Sequence, residues 1–169
     1  DLDQQDAFND PASKPYGVVL SNAGQAQAAV VIEQNDAPQG QPPVLAVVTT
    51  VSVAPGQLQK VVLPQRELDC GVKPNDYTSP GTCLSSNAYR ITASSPIVVY
   101  QFNVFENAYS NAASLLLPTN ALGQVYRAIN WSAGHPAKVF NFPIIDRSYV
   151  TVVGVHENTH VIVKPSWRV

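Results

Sequence analysis

The sequence predicts an all-β domain: a β-sandwich of about ten short strands with at most one short helical turn, a closed β-barrel being the alternative. Three observations predict it. Valine supplies 24 of the 169 residues against 11 leucines, and methionine is absent. Branched side chains suit a half-buried pleated surface better than a helix. Apolar residues recur with a period of two over short stretches, and 14 prolines with clusters of Gly, Asn and Ser punctuate them. Charged residues are only 13% of the chain, about half the ~25% usual for a soluble domain. The formal net charge of −2 supplies no cationic field, so nucleic acid is disfavoured as a partner. No apolar run approaches the ~20 residues that span a bilayer, and no membrane insertion is expected.

Taken in order, residues 1–15 are acidic and broken by Pro11 and Pro15, and read as a linker or extended arm. Residues 16–169 read as one module. With neither an initiator methionine nor an apolar leader at Asp1, the module is expected to be excised from a larger protein. The first strand is expected at 16–20, with Ser21-Asn22-Ala23-Gly24 turning it into a hairpin partner at 28–33. Residues 44–53 alternate, Val47, Thr49, Val51 and Val53 falling on one face and Val48, Thr50 and Ser52 on the other. Ala54-Pro55-Gly56 then turns the chain into 58–63. Further strands are expected at 88–93, 97–105, 114–117, 125–131, 137–142, 149–155 and 160–164. Residues 118–123 carry the one helical turn, with Thr119 placed to cap it and Gly123 to end it. The valine pattern of 16–32 recurs at 149–163.

Cys70 and Cys83 are the only cysteines. They flank a segment rich in Gly, Pro, Asn and Asp, and neither has the C-x-x-C spacing of a metal site. A disulfide between them is expected, worth roughly 3 kcal/mol through restriction of the unfolded chain. It implies an oxidising compartment, hence a secreted or cell-surface protein.

The string His156-Glu157-Asn158-Thr159-His160 is a literal H-E-x-x-H. In zinc proteases it works because a helix brings both histidines to one face. Here the flanks are strand sequences, and the nine residues after His160 contain no Asp, Glu or His as a third ligand. Paired across a turn, His156 and His160 are the one candidate metal pair. His135 lies between Gly134 and Pro136 and reads as a loop residue. No G-x-S-x-G elbow, carboxylate pair or glycine-rich phosphate loop is present. No catalytic residue and no cofactor are expected. Tyr77, Tyr109, Trp131 and Trp167 are the aromatic residues available to a binding face.

Three stretches in order carry a family likeness. They are Ile97-Val98-Val99-Tyr100-Gln101-Phe102-Asn103, then Leu117-Pro118-Thr119-Asn120-Ala121-Leu122-Gly123-Gln124-Val125-Tyr126, then 149–163 around Glu157-Asn158-Thr159. Together they resemble the IgGFc-binding protein N-terminal domain family, from about Tyr16 to the end of the chain. The resemblance implies a secreted, non-enzymatic adhesion or binding module of a larger surface protein, and makes 156–160 a variant turn. Its partner is then a protein or glycan surface ligand, or a neighbouring module of the same chain. Recognition is expected through loops or an exposed strand edge, the low charge of 44–53 leaving little to repel a partner. Two other readings stay open: a carbohydrate-binding module using the aromatic residues above, and a metal-dependent hydrolase using His156 and His160.

Overall fold

The computed structural model describes residues 14–66, 83–106, 112–129, 133–135, 144–146 and 150–165. Among them nine strands form: β1 (Tyr16–Ser21), β2 (Ala28–Asn35), β3 (Leu45–Val53), β4 (Leu58–Leu63), β5 (Tyr89–Ala93), β6 (Val98–Asn103), β7 (Ala112–Leu116), β8 (Ala133–His135) and β9 (Ile144–Asp146). A single 3-10 turn occupies Thr119–Ala121. Every strand pairing is antiparallel. The first sheet runs β4-β1-β6-β7, the second β3-β2-β5, and β8 pairs only with β9.

The two larger sheets share one core. Val18 and Leu20 from β1 and Val61 and Leu63 from β4 pack with Val30 and Ile32 from β2 and Val53 from β3. Burying each such side chain contributes about 1.5–3 kcal/mol. The alternation read in the sequence supplies this core, because every second residue of β1 and β2 faces the opposing sheet. The architecture is therefore a sandwich with open edges, not a closed barrel.

The connection of β1 to β2 departs from expectation. No hairpin forms: β1 pairs with β4 and β6, while β2 pairs with β3 and β5. The chain crosses from one sheet to the other at 22–27, and again between β3 and β4 and between β5 and β6. Ser21 pairs with both Leu58 and Val98, and Ala28 with Val53, while the Ser94 amide bonds the Ala29 carbonyl. These three crossings therefore lie at one end of the sandwich, while the fourth, from β4 to β5, joins the sheets from Leu63 and Tyr89 at the other. A hairpin would have put the apolar faces of β1 and β2 side by side in one sheet; the crossing stacks them face to face.

Asn22, read in the sequence as an ordinary turn residue, holds that end together. It is the buried polar side chain among the described residues. Its Nδ2 donates to the Ala26 and Val53 carbonyls, each at 2.8 Å, and its Oδ1 accepts the Gly24 amide at 2.9 Å. Its backbone amide donates to the Gln57 carbonyl at 3.1 Å, and its carbonyl accepts from Gly56 at 2.7 Å. Gly56 has φ +70°, a conformation open to glycine without steric cost, and so closes the β3–β4 crossing.

The expected strands at 125–131, 149–155 and 160–164 are not strands where they are described: 125–129 and 150–165 carry no ladder. Residues 133–135, read as a loop around His135, are instead β8. Thr119 opens the 3-10 turn rather than capping it; Pro118 holds the cap position and Leu122 ends the turn.

Candidate functional site: an uncharged free strand edge

Among the described residues β3 is the outermost strand of the second sheet, and its nine residues, LAVVTTVSV, carry no charge. Its register against β2 shifts between Ile32 and Glu33: Ile32 faces Thr49, but Glu33 faces Val47. Val48 is the extra residue of a β-bulge. The bulge corrects the alternation expected from sequence, since beyond it the faces exchange. Val48 packs against the core, and Val47, expected on the face of Val53, is 63% exposed. Val44 and Leu45 are exposed beside it.

The Asp36 amide donates to the Val44 carbonyl at 2.8 Å, which fixes the phase of the ladder at this end. Antiparallel pairs alternate between bonded and non-bonded, so Leu45 and Val47 turn their backbone N–H and C=O groups away from β2 to the open edge. Their start is pinned. The Asn35 Oδ1 accepts the Ala37 amide at 3.1 Å and the Val44 amide at 2.9 Å. Arg66 donates to the Asn35 carbonyl at 2.6 Å and lies 3.7 Å from the Asp36 carboxylate. Ser86 Oγ donates to the Ala37 carbonyl at 2.5 Å.

Tyr16 and Tyr89 pack 6.2 Å apart at this same end, where the Tyr89 hydroxyl donates to the Pro64 carbonyl. Burial pushes the phenol of Tyr16 above its ordinary pKa. It does the same to Tyr89, with the Arg66 charge opposing and Tyr16 reinforcing. The Glu33 carboxylate on β2 meets Arg90 on β5 at 2.7 Å, so the charges of the second sheet are paired away from β3.

The H-E-x-x-H string is a tight turn. Asn158 has φ +57°, and Thr159 Oγ1 donates to the His156 carbonyl at 2.6 Å. The helix face that would align the two histidines is absent from this segment. Among the described residues no group of three His, Cys, Asp or Glu residues converges. Cys83 is engaged and not a free thiol, while Cys70 lies outside the described residues. Tyr77, Tyr109, Trp131 and Trp167 also lie outside them. No described helix is long and apolar enough to cross a membrane. The β3 edge was half legible: its low charge and period of two were in the sequence, but the bulge that exposes Val47 has no local signature.

An open-edged antiparallel sandwich with an uncharged edge strand presents a template to which an extended segment can add. Residues 112–169 match the family model described as IgGFc binding protein, in agreement with the resemblance carried by 117–126 and 149–163. Residues 97–103, the first stretch of that resemblance, lie before the matched segment. No curated protein and no solved structure matches the chain.

Proposed function

We propose that the chain is a non-enzymatic binding module of a secreted or cell-surface protein, recognising a protein partner by adding a strand at β3. The observation that carries this reading is the uncharged β3 edge, where Leu45 and Val47 offer backbone groups that no described strand pairs, beside exposed apolar side chains. An incoming extended segment would gain main-chain hydrogen bonds there, and the side chains of Val44 and Val47 would select it. The IgGFc binding protein model over 112–169 supports a binding role. A Cys70–Cys83 bridge belongs to the same reading, since such bridges persist in oxidising compartments.

The test compares Val47→Pro with Trp131→Ala on an immunoglobulin Fc fragment and on a glycan array. Proline at 47 removes an edge donor without cutting a bond to β2. The strand-addition reading expects Fc or another protein probe to lose at least about tenfold in affinity with Val47→Pro, a loss near 1.4 kcal/mol. Binding confined to glycans and lost with Trp131→Ala would establish the carbohydrate-binding alternative instead. Stoichiometric zinc held by His156 and His160 would restore the hydrolase reading.

A further inference from the structure

The two sheets are unequal, and the inequality leaves one vacant position. Connections and core contacts set β1 over β2, β4 over β3 and β6 over β5, so β7 faces no strand among the described residues. The register continues the inner row Leu20–Val99 to Leu116 on β7. Leu116, Ser114 and Ala112 therefore lie on the core side, yet all three are exposed. The position that would cover them adjoins the outer edge of β5. On that edge the phase is fixed by two bonds, Asn35 N–H to Ala88 O and Ser94 N–H to Ala29 O. Residues 88, 90, 92 and 94 thus bond toward β2, and Tyr89, Ile91 and Ala93 turn their amides outward. Among the described residues no strand pairs with them.

We propose that residues 150–155 of this same chain dock in that position as an added strand, pairing with β5 and covering the inner face of β7. The segment reads Val150-Thr151-Val152-Val153-Gly154-Val155, uncharged and strand-like in pattern, and it carries no ladder while its valines stand exposed. Docking buries no unpaired charge, because Arg90, the one charged residue of β5, is already bonded to Glu33. Covalent attachment favours the segment over a second copy, since a segment of the same chain meets the edge at a higher effective concentration than a separate molecule does. The tight turn at Glu157-Asn158 lets the chain reverse directly after the docked strand. This closure uses the edge opposite β3 and does not depend on the recognition reading.

Amide exchange resolved by residue on the whole chain tests it. The Ile91 and Ala93 amides are expected to be protected. Val152→Pro, which lies outside the sandwich core, is expected to speed their exchange by about tenfold or more while Val30 and Ile32 stay protected. Free exchange at Ile91 and Ala93 in the unaltered chain overturns the proposal. So does protection that survives Val152→Pro, which assigns the edge to another segment. Protection that rises with protein concentration alongside a dimer mass assigns the edge to a second copy and likewise overturns it.

Discussion

Residues 16–105 and residues 112–165 are built from the same kind of sequence and meet different fates. Both are rich in valine and leucine, and both alternate with turn formers. In the first region the alternation closes on an opposing sheet, and Leu20, Val30 and Ile32 are inaccessible to solvent. In the second, Val125 and Ile129 are 89% and 93% exposed, and 150–165 has no ladder. Strand propensity is thus permissive only. A β-branched run becomes a strand when a neighbour takes its backbone bonds and a second sheet covers its apolar face. The family match falls on the second region, so the part most identifiable by sequence is not the part that carries the described core.

Substitutions separate the two regions. The largest effect is expected for Gly17→Val on β1. Even a Cβ there would sit 2.1 Å from the Val61 carbonyl oxygen and 2.7 Å from the Phe105 ring. The β1–β4 backbones must part to admit it, so the cost exceeds both the ~1–3 kcal/mol of ordinary overpacking and the ~2–5 kcal/mol of a large-to-small core change. Chemical denaturation reads it directly, and a folded variant of unchanged midpoint would show that β1 and β4 are not in register. Leu20→Ala follows, expected to cost about 2–5 kcal/mol by leaving a cavity between the sheets. Asn22→Ala comes next at about 1–3 kcal/mol, since the Ala26 and Val53 carbonyls lose their donor at a buried position. By contrast Ile129→Ser is expected to stay within about 0.5 kcal/mol. A larger loss there would mean that the second region has a core of its own.

A pH titration sharpens the same contrast. The phenols of Tyr16 and Tyr89 are raised by burial in the sandwich, so the unfolded chain releases those protons more readily than the folded one. Stability from this source is fully present below about pH 10, the ordinary tyrosine value, and falls as pH rises through the folded values. Tyr16→Phe should flatten that alkaline decline, read as the denaturation midpoint against pH.

Much of the fold was legible in the residues. The first six strands lie within a residue or two of the expected positions, because alternation and proline or glycine punctuation are local properties. Which strands pair is not local. Ser21-Asn22-Ala23-Gly24 has the composition of a hairpin turn, but the Asn22 side chain bonds across to β3, and that long-range bond goes with a crossing rather than a hairpin. The spacing of Asn22 and Gly24 is the signal an Asx turn leaves in sequence; the burial of Asn22 is not written there. Val47 fails for a related reason, since a bulge shifts every residue beyond it and is defined only by the partner strand. The strand-like pattern at 149–155 and 160–164 was legible as composition, but composition carries no information about which edge is available.

Consecutive strands β1 and β2 lie in opposite sheets, and among the described residues β3 is an edge. Backbone Hα–Hα and amide contacts measured by NMR on the whole chain decide this. Contacts are expected from Val18 and Leu20 to β4 and β6, with only side-chain methyl contacts from β1 to Val30 and Ile32. Backbone contacts between β1 and β2 would restore the hairpin and overturn the sandwich order.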